Sequence, residues 1–395
     1  MKQIIGLFMV LVVGFVGCGG DKDSSTGPSE EVPKGPDGQT LEVDTESDSI
    51  GCTDATALNY DSTATTDSQN CEYVWGQLIE AQPLTYFAAD LSDDIRNGVR
   101  EALRAATESF GKYGLVEYWV IGSDYDAMVD LATVFCERRV SRGEPYQGTE
   151  TVGYCVQENT ADYHDNNFLH YYNVANDAIA YNEPRSSAAT DGGREYGIHR
   201  LYQSYPHGFE NLFGDTPIRE AQLIFHEYFA VFQGSQINSL DEETVVDLLG
   251  PWWFSQGAQE YASFYYLYKH VQENTINIDP TGLETMEEEF SSKMTGALNF
   301  MNNECPDTKF YEIDRSSPCK GVVYDIGPWT IAYLQHKIGN QDALITTFYP
   351  ILEANGWNAT FTQTFGIEPE DFYTEFEEFL DKPLSEQLLV LPTFE

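Results

Sequence analysis

The chain has 395 residues, with 64 acidic against 21 basic side chains, a formal net charge of −43 and an aromatic content of 14%. So negative a field with so few cations excludes a nucleic-acid groove, which needs Lys and Arg clustered against phosphate. The 25 Tyr and 23 Phe exclude a wholly disordered chain and can fill one large core, while the acidity describes a solvated surface suited to a salty medium.

Lys2 and the apolar run Ile4 to Gly17 open the chain. The run is too short to span a bilayer as a mature helix, so residues 1–17 read as an export signal. Phe15-Val16-Gly17-Cys18-Gly19 resembles a bacterial lipobox, with Phe15 where Leu is usual. The resemblance implies cleavage before Cys18 and its lipidation, several acyl chains then holding an exported protein on a membrane of the cell envelope. An ordinary secretory signal is the alternative, and both export the chain. Gly19 supplies no acidic retention signal, which favours the outer membrane or cell surface. Residues 18–50, made of Gly, Ser, Pro, Asp and Glu with hardly an apolar side chain, read as a flexible tether.

Six further cysteines fall into neighbouring pairs, Cys52 with Cys71, Cys136 with Cys155, and Cys305 with Cys319. Each pair is expected to close a disulfide loop in an oxidising compartment, contributing roughly 3 kcal/mol through loop entropy. No spacing is C-x-x-C, which argues against zinc ribbons and redox motifs. Residues 51–73 resemble a small Cys-bracketed segment of exported bacterial proteins, and Asp54, Asp61 and Asp67 are candidate calcium oxygens there. The alternative is a disulfide-closed spacer carrying solvated acids.

The main domain is expected over 74–395. Ser92 caps a helix whose first turn holds Asp93 and Asp94, and Ile95, Val99, Leu103, Ala106 and Phe110 keep helical spacing up to Gly111. Val116 to Ile121 reads as a strand and Tyr125 to Arg139 as a second helix. Alternation around 167–182 predicts further strands, including an edge over a cleft. From Pro217 onward, helices are predicted at 217–236, 253–271, 283–303, 326–338, 341–354 and 368–381. A mixed front half with a small sheet and a mostly helical back half define an α+β fold, with an active-site-like cleft between them.

Two of those helices carry the chemistry. Residues 226–233 read HEYFAVFQ and residues 253–261 read WFSQGAQEY. The first resembles the HEYxHxxQ helix of gluzincin zinc peptidases, a group that includes thermolysin-like enzymes and bacterial collagenases, and the second resembles their WFxEGxAEY segment. The likeness covers about residues 80–381. It implies His226 as first metal ligand and Glu227 as general base. Ala230 stands at the second ligand position, where a methyl group binds nothing, and Gln256 at the third, with a neutral amide oxygen. Glu260 matches a further acidic position one turn beyond Gln256 and is a candidate substitute ligand. Tyr324 is a candidate oxyanion partner, with core packing as its alternative, and His199 and His207 are further candidate ligands.

A catalytic zinc lowers the pKa of its water from about 15.7 to about 7, on the order of 12 kcal/mol of activation. Glu227 alone does not replace that. The chain therefore reads as a peptidase relic with no cofactor, retaining a cleft for a peptide or protein ligand. Two alternatives stand beside it: an active zinc metallopeptidase with a substituted ligand set, hydrolysing extracellular protein, and an acidic surface protein whose old cleft is packed core.

Overall fold

The computed structural model describes residues 49–144, 151–161, 167–183, 186–205 and 217–394. The export signal, Cys18, almost all of the tether and His207 lie outside the described residues. Among the described residues, no helix is long and apolar enough to cross a membrane.

The Cys-bracketed segment pairs two short parallel strands, β1 (Ile50–Gly51) and β2 (Thr66–Asp67). The Cys52–Cys71 disulfide closes it, and both cysteines pack with Tyr73, Leu115 and Ile198 of the main domain. Its three acids each serve their own turn. Asp54 accepts from the Thr56 amide and hydroxyl, Asp61 from those of Thr63, and Asp67 from the Gln69 amide. They are not gathered into a calcium cage.

The main domain continues with β3 (Leu84–Phe87), α1 (Asp93–Phe110), β4 (Leu115–Ile121), α2 (Tyr125–Ser141), α3 (Val152–Asn159), α4 (Phe168–Tyr181), β5 (Ala188–Gly193) and β6 (Ile198–Ser204). One four-stranded sheet runs in the order β3-β4-β6-β5; β3, β4 and β6 are parallel, and β5 runs antiparallel to β6 along one edge. Ser92 caps α1 as expected, its hydroxyl accepting from the Ile95 amide. The Cys136–Cys155 disulfide ties α3 to α2.

The strands expected around 167–182 are instead helix α4. Asn167 caps it by accepting from the His170 amide, and Phe168, Tyr171, Ala175 and Ala178 are buried at helical spacing. Asn182, at φ 52°, ends it in the left-handed conformation. The true edge strand, β5, reads AATDGG, a composition with little strand propensity that owes its pairing to β6.

The back half is helical: α5 (Pro217–Ser235), α6 (Glu242–Leu249), α7 (Trp252–Gln272), α8 (Met286–Glu304), α9 (Val323–Ile338), α10 (Tyr349–Asn355), α11 (Trp357–Phe365) and α12 (Pro369–Leu380). Here α8 starts at Met286 rather than 283, because Thr285 and Glu288 form a capping box. A π-turn at Leu344–Phe348 precedes α10, and α6 and α11 are additional to the expected helices. The third disulfide, Cys305–Cys319, links the end of α8 to the approach to α9. Helices α5, α7 and α9 form the buried centre. At their tightest point Gly257 of α7 meets Gly327 of α9, and a Cβ on Gly257 would lie 2.4 Å from the Gly327 carbonyl carbon. The architecture is the expected α+β, a small sheet in the front half and helices behind.

Candidate functional site

The site lies where α5 and α7 face each other below the edge strand β5. Residues 226, 227 and 230 sit in the middle of α5, with 226 and 230 on one helical face, and 256 and 260 repeat that spacing on α7. His226 is 1% exposed, Glu227 0%, Gln256 2% and Glu260 7%. These helices therefore bring together, in the dry interior, polar groups that must find partners or pay for their burial.

His226 Nδ1 lies 2.8 Å from Glu260 Oε2, and Lys293 Nζ of α8 donates to Glu260 Oε1 at 2.9 Å. Lys293 also donates to the Tyr324 carbonyl at 3.1 Å and lies 3.5 Å from Asp325 Oδ1. Burial alone would push the Glu260 carboxyl up, but Lys293 and His226 outweigh it and hold it down to about 2. Burial works against the His226 imidazolium, yet the Glu260 hydrogen bond and charge raise its pKa above the ordinary histidine value. Both Glu260 oxygens are thus engaged, which makes it the orienting partner of His226 rather than a spare ligand.

Glu227 is held from the other side. The Thr190 hydroxyl on β5 lies 2.8 Å from Glu227 Oε2 and 3.0 Å from the Glu227 carbonyl. Burial is the main influence on its carboxyl and raises the pKa, although His226 and Thr190 oppose this. The Tyr324 ring lies 6.3 Å from the His226 ring, centroid to centroid. Burial and then the Glu227 and Glu260 charges drive its pKa upward, so it stays a phenol. His199 on β6 is committed elsewhere: Nε2 pairs with Ser235 Oγ at 2.9 Å, and the ring lies tilted against Trp75 with centroids 3.8 Å apart. Burial, with Arg194 and Arg200, brings its pKa down to about 3, leaving a neutral imidazole.

Glu227, Ala230 and Gln256 line one cavity of about 60 Å³, together with Trp75, Thr190 and the side chains of Arg194 and Arg315. His226 Nε2, Glu227 Oε1 and Gln256 Oε1 are buried with no hydrogen-bond partner among the described residues. A catalytic zinc needs three protein donors and one open position. The described residues offer one imidazole nitrogen, one neutral amide oxygen and a methyl group, with Glu260 bound to Lys293. Among the described residues no three His, Cys, Asp or Glu are grouped to hold a metal. This donor set does not fit a catalytic zinc.

Lys293, Thr190, Arg194 and Arg315 escape a reading of the two motifs because they come from α8, β5 and loops distant in sequence. Lys293 had a signal, as the one cation in MEEEFSSKM, one residue before buried Met294. A second polar cluster lies between the sheet and α2. There Glu117 pairs with Arg138 at 2.7 Å and with Arg142, and Glu144 pairs with Arg142 at 3.2 Å and with Arg200. Among the described residues it is an ion-pair network of largely buried side chains. Comparison of the chain with known protein families, with characterised proteins and with solved structures returns no match.

Proposed function

We propose that the chain is an exported, lipid-anchored gluzincin-like peptidase homologue that holds a peptide or protein segment in its cleft without hydrolysing it. The observation that carries this is the 2.8 Å pairing of His226 with Glu260 across α5 and α7, beside Ala230 and Gln256. Metal-bound histidines are oriented in the same way, by a carboxylate on the ring nitrogen that does not face the metal. The outer support of a zinc site is thus present while two of its inner donors are replaced. Glu227, without the roughly 12 kcal/mol that a zinc-bound water gains, has no nucleophile to activate at neutral pH. Export is supported by the three disulfides, which form in oxidising compartments. Anchoring at Cys18 is proposed from the N-terminal segment alone.

Elemental analysis of the purified mature protein, with casein and gelatin digestion, tests the loss of catalysis. Substoichiometric zinc and no digestion are expected. About one tightly held zinc per chain with chelator-sensitive digestion would instead establish an active metallopeptidase with a substituted ligand set. The double variant Ala230→His, Gln256→Glu tests the family. Stoichiometric zinc binding by that variant supports a preserved zincin helix pair, and a variant that folds but stays metal-free overturns it.

A further inference from the structure

The cavity beside Glu227 has a charge opposite to that of the molecule around it. Its titratable lining groups are Arg194, Arg315, His199 and Glu227. The lining therefore carries two guanidinium charges against at most one carboxylate, in a chain where acids outnumber bases 64 to 21. In such a chain a cation should find an acid easily, yet neither arginine forms an ion pair among the described residues. The Arg315 guanidinium is stacked 4.6 Å over the Trp252 ring, exposed at the mouth. That of Arg194 lies 4.6 Å over Trp75, and its Nη1 donates to the Gly234 carbonyl at 3.1 Å and to that of Ile237. Each cation is fixed on an indole, with Glu353 acting on Arg194 and Glu242 on Arg315 only from beyond ion-pair distance.

We infer that this cavity binds a carboxylate, the anionic group of a peptide ligand, through Arg315 at its mouth and Arg194 in its wall. A planar guanidinium matches a carboxylate with two parallel donors, and an indole behind it fixes the fork before the ligand arrives. A cavity of about 60 Å³ has room for such a group. The surrounding negative charge acts at longer range and is screened beyond about 10 Å at 0.1 M salt, whereas contacts inside the cavity are screened far less. The carboxylate is a chain terminus or an Asp or Glu side chain, and the assignment rests on the peptide-holding cleft proposed above.

The test uses the mature full-length chain and its Arg315→Gln variant. Four acetylated peptides are titrated by calorimetry: tri-alanine with a free C-terminus, its C-terminal amide, Ala-Glu-Ala amide and Ala-Gln-Ala amide. Acetate and acetamide are compared separately by saturation-transfer NMR. At least tenfold tighter binding of one carboxylate peptide than of its neutral counterpart is expected, and Arg315→Gln should reduce that preference below threefold. The pair that shows the preference identifies terminal or side-chain carboxylate. Equal binding of charged and neutral peptides overturns the carboxylate site and leaves the peptide cleft standing. Acetate saturation that Arg315→Gln abolishes, with no peptide bound, keeps the carboxylate site and overturns the peptide cleft. No binding of any probe overturns both.

Discussion

Replacing Lys293 by Met tests whether the His226–Glu260–Lys293 chain is a buried ionic unit. Glu260 is 7% exposed, and its carboxyl is held at about 2 against an ordinary value of 4.5. At roughly 1.4 kcal/mol per pH unit, that difference is about 3 kcal/mol of folded-state stabilisation at neutral pH. Because the folded value is depressed, the stabilisation is complete above the unfolded value and is lost as pH falls from about 4.5 toward about 2. Met keeps most of the Lys293 volume while removing the charge, and stripping one partner from a buried pair costs about 3–5 kcal/mol. Lys293→Met should therefore destabilise the protein by about 3 kcal/mol at pH 7, read as a urea-midpoint shift at constant slope. The gap from the parent should narrow by pH 3, where the parent has lost much of the same contribution. In a Glu260→Gln background the same substitution should cost about 1 kcal/mol, since of the charged contacts only the longer ones to Asp325 and Glu289 are then lost. A loss below about 1 kcal/mol in the single variant, or equal losses in both backgrounds, refutes the ionic unit.

Three further outcomes follow from neighbouring contacts. Thr190→Val removes the hydroxyl that meets Glu227 among the described residues and should cost about 1–3 kcal/mol, while the Glu227 carboxyl, titrated by carbon-13 NMR, moves further up. An unchanged titration would place the hydroxyl outside the site. Gly257→Ala drives a Cβ to 2.4 Å from the Gly327 backbone and should destabilise by about 1–3 kcal/mol, lowering the thermal midpoint by several degrees; a neutral result disproves the close crossing of α7 and α9. The pair Cys136→Ser and Cys155→Ser opens the loop between α2 and α3 and should cost about 3 kcal/mol by calorimetry, with the sheet and α5 otherwise intact.

Much of this organisation is legible because it is local in sequence. Helix α5 shows in the spacing of Ile218, Phe225, Phe229 and Phe232, and the three disulfides join cysteines already adjacent along the chain. The edge strand is not legible, because the AATDGG of β5 has no strand preference of its own and depends on pairing with β6. Helix α4 was obscured for the converse reason: its apolar residues on two faces read as alternation, and the decisive signal was the cap at Asn167. At the site, the motif spacing gives positions 226, 227, 230, 256 and 260 but not their roles. Glu260 becomes an orienting group only once α8 brings Lys293 to its second oxygen.

That placement separates two kinds of position in the site. His226, Glu260 and Lys293 belong to a closed chain of buried charges, where losing any member strands its neighbours and costs several kcal/mol whether or not a metal is ever bound. Ala230 and Gln256 face the cavity, where water can meet a changed side chain and packing demands least. The buried charges therefore suffice to keep His226 and Glu260 in place, so the pair speaks for the helix frame and not for retained zinc binding. The two cavity-facing positions are the ones that report on catalysis, and both carry groups unsuited to gripping zinc. The same logic gives weight to Arg315, which is exposed, pairs with no acid among the described residues, and lies over the face of Trp252. Among the described residues only Glu242 and Tyr324 act on its charge, neither as an ion pair, which is the arrangement the proposed carboxylate site requires.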